Sequence, residues 1–253
     1  MPVEQTQKEM SFWDHLEELR GTLLRSLAAI FLLMCVALCF KEFVFEDIIL
    51  RPASDSFITN ALLGLEQKIS MVNLEIAGQF MVHLRSSFIM AFVLAFPYLL
   101  WEIWRFIAPA LYDKEKKPAM LVFLLGTVLF YLGVLVGYFV LLPLCLHFFQ
   151  AYTVSETVVN PFSLQSYMGM FVSMVLLLGL VFEFPMLMMM LGKMGLIDRA
   201  LLRKGRRYAI ILVMILAAVI TPADPASMII LSCPLYLLYE LGILLCPKNK
   251  DQI

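Results

Sequence analysis

Charged residues are scarce in this chain. Asp, Glu, Lys and Arg make up 15% of its 253 residues, whereas hydrophobic residues make up 62%. Soluble domains average about 25% charged and about 45–50% apolar residues, so this composition excludes an ordinary soluble domain. The net charge of −1 gives no reason to expect a nucleic-acid partner, because such proteins carry basic patches.

Cysteine motifs are also missing. None of the five cysteines has a metal-site spacing such as C-x-x-C, and no disulfide framework is apparent. Four of the five fall in apolar runs or at their edges, and free cysteine behaves there as a small buried hydrophobe. The sequence therefore predicts no metal site and no bound cofactor.

Catalytic motifs are absent as well. The chain has no G-x-x-x-x-G-K-[ST] phosphate loop, no H-E-x-x-H zinc motif and no G-x-S-x-G nucleophile motif. It also lacks the paired intramembrane Asp residues of an aspartyl protease. We therefore expect no enzyme activity, and any work that the protein does must draw on a partner or on the membrane potential.

Long apolar runs dominate what is present. About 20 apolar residues span the hydrocarbon core, which predicts one all-α membrane domain over residues 1–253 with spans at about 22–40, 88–107, 120–142, 168–191, 208–220 and 227–245. The second is predicted to be bent or broken near Pro97, and Gly126, Gly133 and Gly137 predict close helix packing of the third. The fifth has 13 residues and would reach only about 20 Å. It is therefore predicted to form, with the sixth, either a hairpin that crosses a locally thin membrane or a re-entrant pair.

The distribution of basic residues predicts the orientation. With the N-terminus in the cytoplasm, fifteen of the 19 Lys and Arg residues fall in inner segments, and four fall outside: Lys41, Arg51, Lys68 and Arg85. By the positive-inside rule both termini are cytoplasmic. The acidic start, with Glu4 and Glu9, argues against a cleavable signal peptide.

Two segments outside the spans also have recognisable patterns. Residues 11–20 predict a short amphipathic helix, since Phe12, Leu16 and Leu19 form one stripe and the acidic groups lie on another face. The outer loop 41–79 alternates apolar and polar residues and contains Pro52, which predicts short interfacial helices that form a cap. The inner interval 105–117 is polar, and together with the acidic N-terminal segment it predicts a binding site on the cytoplasmic face.

Glu183 is the most unusual residue, because an ionisable group within a span costs about 2.5–3.5 kcal/mol on insertion scales. It has either a functional role or a structural one, as a neutral side chain hydrogen-bonded to a carbonyl that Pro185 leaves free. Glu240 and Glu102 are weaker candidates, and Glu102 is expected to be solvated or paired with a nearby base.

Four segments, in order, resemble the signatures of one family, TatC, the receptor subunit of the twin-arginine protein translocase. They are HLEELR at residues 15–20, WRFIAPALYDKEK at 104–116, FEFP at 182–185 and TPADP at 221–225. Pro52 is similar to a proline of the family's first outer loop. Two positions depart from the pattern. After the arginine of HLEELR, where a second basic residue is common in the family, this chain has Gly21 and Thr22. Near the start of the second signature, where an amide is common, it has Glu102. Both departures bear on signal-peptide preference.

The resemblance implies six helices in a concave bundle, with short fifth and sixth helices, in the bacterial inner membrane. It implies that Glu18 and Glu115 bind the twin-arginine signal peptides of folded precursors, with Phe106 and Arg20 in support. It further implies export driven by the proton-motive force, and partners comprising TatA- and TatB-type single-span subunits, further TatC copies and membrane lipids. The residues expected in structural or partner contacts are Pro52, Pro109, Tyr112, Asp224 and Glu240.

Two alternatives come from other classes of protein. One is a small-solute secondary transporter built around Glu183, and the other is a membrane-embedded enzyme. A transporter should bring several acidic or polar side chains together at mid-membrane, whereas here Glu183 is nearly alone in its position. The missing catalytic motifs argue against an enzyme.

Overall fold

The structure, a computed structural model, describes residues 12–64, 69, 71–110, 113–153, 155, 161–221 and 225–246. The α-helices in these ranges are α1 (Phe12–Cys39), α2 (Ile58–Leu63), α3 (Gly78–Ile107), α4 (Asp113–Val136), α5 (Leu142–Ala151), α6 (Leu164–Phe171), α7 (Leu178–Val181), α8 (Phe184–Lys193), α9 (Arg199–Lys204), α10 (Arg206–Ile220) and α11 (Pro225–Leu245). Two short strands, β1 (Met71–Val72) and β2 (Phe162–Ser163), pair in parallel.

Within the described ranges, five helical segments are long and apolar enough to cross a membrane: His15–Cys39, Gly78–Ile107, Met120–Ala151, Leu164–Lys193 and Ser227–Leu245. The third joins α4 to α5 through the π-helical segment Gly137–Leu141, and the fourth joins α6 to α7 through the π-helical segment Val172–Leu177 before continuing into α8. The chain is thus a multi-pass membrane protein.

The helix bounds differ from the predicted ones in several places. Residues 12–20 and the first span form a single helix, α1, and the second span begins at Gly78. α10 has 15 residues, or about 22 Å, which is short of an apolar core of about 30 Å. α11 has 21 residues and is longer than the short sixth helix that the resemblance implied.

α3 continues through Pro97 without a break, so of the two predicted possibilities, a bend and a break, the break is wrong. Proline has no N–H, so the carbonyl of Val93, four residues earlier, loses its helical donor. The hydroxyl of Tyr131 in α4 donates to this carbonyl at 3.1 Å and so satisfies it inside the bundle. A hydrogen bond from the neighbouring helix therefore replaces the one that proline removes.

The segment between α1 and α3 packs onto the bundle as short helices, as the sequence predicted. It contains the π-helix Phe43–Ile49, the 3₁₀ turn Arg51–Ala53 and α2. Tyr138 donates its hydroxyl to the carbonyl of Ile48 at 2.6 Å, and Tyr167 donates to that of Ile49. Pro52 is buried, and its carbonyl accepts from the amide of Asn60 at 3.1 Å. Pro52 thus has a structural position in this cap.

The predicted close helix packing at glycines is confirmed. A Cβ atom on Gly133 would lie 2.9 Å from the Cα of Gly179, and one on Gly137 would lie 2.0 Å from the carbonyl oxygen of Met174. The helical segments containing these glycines therefore approach one another with backbone against backbone, which only glycine permits at this distance.

We expect Gly137→Ala to destabilise the protein by about 1–3 kcal/mol, because the added methyl would overlap a backbone carbonyl that cannot rotate away. Thermal unfolding in detergent measures this loss. Gly169→Ala is the matched control, since a Cβ atom there meets nothing within 4 Å. A melting temperature unchanged in Gly137→Ala would contradict the close approach.

Candidate functional site

α1 and α3 pack against each other along one interface, called here the α1–α3 seam. Its polar and aromatic members are His15, Glu18, Thr22 and Arg25 of α1 and Tyr98, Glu102 and Phe106 of α3. On each helix these residues recur at intervals of three, four or seven, which places them on one face. The seam therefore results from helical periodicity in two separate segments of the chain.

The ring of His15 stacks on the ring of Phe106, with 4.3 Å between their centroids and 26° between their planes. His15 lies near the start of α1 and Phe106 near the end of α3, so the contact shows that the two helices run antiparallel. It also brings the HLEELR segment next to the second signature segment. The two motifs, about 90 residues apart in sequence, thus meet at one end of the bundle.

The carboxylate of Glu102 is fully occupied by neighbouring side chains. Arg25 donates to its Oε2 through Nη2 at 2.8 Å and through Nε at 2.9 Å, while Tyr98 donates to Oε1 at 2.9 Å. Only 2% of Glu102 is exposed. The sequence expected Glu102 to be solvated or paired with a base, and the structure shows the pairing. Two charge-assisted hydrogen bonds from one guanidinium group to one carboxylate oxygen pair the opposite charges and also fix the position of the guanidinium group.

Glu18 contrasts with Glu102. It lies two turns before Arg25 on the same face of α1, is half-buried, and forms no ion pair within the described part of the chain. Arg20 is exposed and likewise has no ion-pair partner there. Glu18 is thus a carboxylate on the seam that remains open to an external cation.

The other predicted residues of the signature segments follow Phe106 closely. Pro109 is exposed in the 3₁₀ turn Ala108–Ala110, and Glu115 lies in the first turn of α4. The side chain of Glu115 and the whole of Tyr112 lie outside the described part of the structure, as does Asp224. The backbone therefore carries Glu115 to the same end of the bundle as Phe106 and His15.

Glu183 lies at the interruption between α7 and α8. It is 9% exposed, and both of its carboxylate oxygens are buried with no hydrogen-bond partner among the described residues. The predicted alternative, a hydrogen bond to a carbonyl freed by Pro185, is therefore not formed. A Cβ atom on Gly126 would lie 2.8 Å from Oε2 of Glu183, so α4 passes directly beside the carboxylate. Unpaired buried polar atoms are costly and are rare in folded proteins.

An apolar pocket of about 520 Å³ between α3 and α4 lies near Glu183. Leu100 lines this pocket. Its Cδ1 also lies near α4, since a Cβ atom on Gly126 would lie 3.4 Å from it. The same Cβ position is the one that Oε2 of Glu183 approaches. Leu100 thus lies next to both the pocket and the part of α4 that the carboxylate approaches. The remaining lining residues are mostly large and apolar: Pro97, Trp101, Trp104, Met120, Leu121, Phe123, Leu124 and Thr127.

Glu240 joins α10 to α11. Its Oε2 accepts from Nη2 of Arg206 at 2.6 Å, and its Oε1 accepts from the hydroxyl of Tyr236 at 3.1 Å. Next to it, Tyr239 donates to the carbonyl of Leu202 at 2.7 Å. Glu240 therefore has an intramolecular partner, Arg206, at the start of the short helix α10.

Comparison with known proteins identifies the family. The family model of the Sec-independent protein translocase protein, TatC, matches residues 14–234, which include both segments of the seam and Glu183. The chain belongs to the TatC family. It is therefore a component of protein translocation.

Relatives in the TatC family cover almost the whole chain. The Sec-independent protein translocase protein TatC of Blattabacterium is 36% identical over 250 residues, which cover 93% of this chain and 94% of that protein. TatC of Aquifex aeolicus is 32% identical over 249 residues, with 96% and 99% covered. A crystal structure of the twin-arginine translocase receptor TatC, in DDM, superposes with a TM-score of 0.78 at 31% identity and covers 92% of this chain and 99% of that one.

Sequence reasoning located most members of the seam but missed the interaction between Arg25 and Glu102. One signal was available, since Tyr98 and Glu102 are four residues apart and therefore share a helix face. A second was Arg25 itself, an arginine within an apolar span, which requires a partner. Neither signal says which residue of another helix supplies that partner.

Proposed function

We propose that the chain is the receptor subunit of a twin-arginine translocase, and that it binds the signal peptides of folded precursor proteins through Glu18 and Glu115. Two adjacent guanidinium groups require fixed carboxylates, which they engage through charge-assisted hydrogen bonds. The observation that carries the proposal is the open carboxylate of Glu18 on the seam, next to the His15–Phe106 stack.

Phe106 and Arg20 have supporting roles in this proposal. The ring of Phe106 is held by its stacking on His15, so it offers the signal peptide an ordered aromatic surface, on which a guanidinium can also stack. Arg20 is exposed two residues after Glu18 on α1 and adds a donor at the rim of the site.

The proposed topology has six spans in the bacterial cytoplasmic membrane, with α10 as the short fifth span and both termini in the cytoplasm. The distribution of basic residues supports this orientation. The open end of the seam then faces the compartment in which precursors fold. TatA- and TatB-type subunits and further TatC copies assemble in the membrane around this receptor, and the proton-motive force drives export.

Cysteine labelling tests the orientation in a variant whose five native cysteines are replaced. Ile76 precedes α3 and Leu196 follows α8, and both are well exposed. We expect Ile76→Cys to react with a membrane-impermeant maleimide in intact cells and Leu196→Cys to react only after the membrane is opened. The reverse pattern would overturn the proposed orientation.

Glu183 is proposed to act after signal-peptide binding, either opposite the apolar part of the signal peptide or against a polar group of a partner subunit. Its buried carboxylate, which has no hydrogen-bond partner among the described residues, supports a role for an incoming group. The solute-transporter alternative gains no support, because neither oxygen of this carboxylate has a hydrogen-bond partner among the described residues, whereas a solute site should bring several polar side chains together.

A further inference from the structure

Arg25 folds back along α1 toward the proposed binding carboxylate. A Cβ atom on Gly21 would lie 3.1 Å from Nη1 of Arg25, so the guanidinium group lies over the bare backbone of Gly21. Long helical side chains lean toward the N-terminus of their helix, which explains the direction. A larger residue at position 21 would occupy the space that the guanidinium group uses.

This position brings a resident guanidinium group close to Glu18. Glu18 and Gly21 are three residues apart, and such positions have Cβ atoms about 5–6 Å from each other on a helix surface. Glu18 and Arg25 form no ion pair in this arrangement, since the ion pair of Arg25 is with Glu102. The Arg25 side chain is 39% exposed, so it has room to turn toward Glu18.

Glu102 is the group that holds Arg25 away from Glu18. Its buried carboxylate accepts the forked bond from Arg25 at 2.8 and 2.9 Å, and Tyr98 fixes the other oxygen. Both oxygens are occupied, so Glu102 itself is not open to a ligand. An arginine released from Glu102 would find Glu18 as the nearest carboxylate on its own helix.

We propose that Glu102 sequesters Arg25 and thereby prevents this internal guanidinium group from competing with a signal-peptide arginine for Glu18. The inference rests on the proposed role of Glu18. Glu102 is then a positioning residue that keeps the recognition carboxylate vacant, and Gly21 provides the space in which the sequestered guanidinium lies. Both positions are among those at which the chain departs from the TatC signatures.

The test measures binding of a fluorescent twin-arginine signal peptide to the full chain in lipid nanodiscs. We expect Glu102→Gln to weaken binding by about fivefold, because the freed Arg25 forms an ion pair with Glu18 that the ligand must displace. Removing both charges in Arg25→Gln/Glu102→Gln should restore binding to within about twofold of the wild type, because residues in contact are coupled and no guanidinium group then remains at position 25 to compete for Glu18.

The comparison of the double variant with Glu102→Gln decides the inference. Binding in the double variant that stays as weak as in Glu102→Gln, or that is lost, would show that the ion pair is needed for structure and would overturn the proposal. Unchanged binding in Glu102→Gln would overturn it as well. Glu17→Gln, which removes an exposed carboxylate of α1, is the charge-matched control and should bind normally.

Glu18→Ala separates this inference from the proposed function. If Glu18→Ala binds the twin-arginine peptide as tightly as the wild type, the proposed binding site itself is wrong. A different outcome is that Glu18→Ala weakens binding while Arg25→Gln/Glu102→Gln binds no better than Glu102→Gln. In that case the binding site stands and only the sequestration of Arg25 is wrong. A peptide with Lys-Lys in place of Arg-Arg reports how much of the binding depends on guanidinium recognition.

Discussion

Glu18→Ala combined with Glu115→Ala is expected to abolish export of a folded reporter that carries a twin-arginine signal peptide. A hydrogen bond to a charged group contributes about 1.5–3 kcal/mol, so each single substitution should weaken signal-peptide binding by about tenfold to hundredfold. The amount of membrane protein should not change, because Glu18 has no ion pair to lose within the described residues. Fractionation of the reporter between cytoplasm and periplasm measures the effect.

Glu17→Ala is the matched control for this prediction, since Glu17 neighbours Glu18 on α1 but is exposed on a different face of the helix. Export should remain normal in it. Normal export in the Glu18 and Glu115 double variant would remove both residues from the recognition site. A crosslink between the signal peptide and position 115 would independently place the ligand at the end of the bundle where the seam opens.

Glu183→Leu is expected to abolish export while making the protein at least as stable as the wild type. The substitution replaces a buried carboxylate that has no hydrogen-bond partner among the described residues with an apolar side chain. Removing such a group typically raises the free energy of unfolding by about 1–3 kcal/mol. A gain in stability coupled to a loss of function is the pattern of a residue retained for function rather than for folding. Thermal unfolding in detergent and the reporter assay measure the two effects.

Glu183→Gln separates a requirement for charge from a requirement for polarity at this position. It keeps the side-chain shape and its capacity to form hydrogen bonds but cannot ionise. We expect impaired transport or subunit assembly with signal-peptide crosslinking at position 115 largely intact, because Glu183 lies in another part of the bundle from Glu18. Equal loss of crosslinking would make Glu183 a structural support of the binding site, and normal export in Glu183→Leu would remove its functional role.

Most of what the sequence determined about this protein is local. Whether a segment enters the membrane depends chiefly on the summed transfer free energy of its own residues, so composition alone predicted the apolar helices and the multi-pass class. The signature segments are also local in sequence, and they placed the chain in the TatC family before any contact was known. Glu183 could be recognised as unusual for the same reason, whereas Glu18 was singled out by the resemblance of its segment to a TatC signature.

The partners of those residues were decided by the tertiary structure. Glu102 and Arg25 are 77 residues apart, and their pairing depends on how α1 is rotated against α3. The carbonyl that Pro97 leaves free in α3 accepts from a hydroxyl of α4, a contact that no local propensity describes. Glu183 has no hydrogen-bond partner among the described residues, and α4 places a glycine beside it. Hydrophobicity acts on each segment separately, whereas the rotation and approach of packed helices depend on side-chain and backbone shape along both of them.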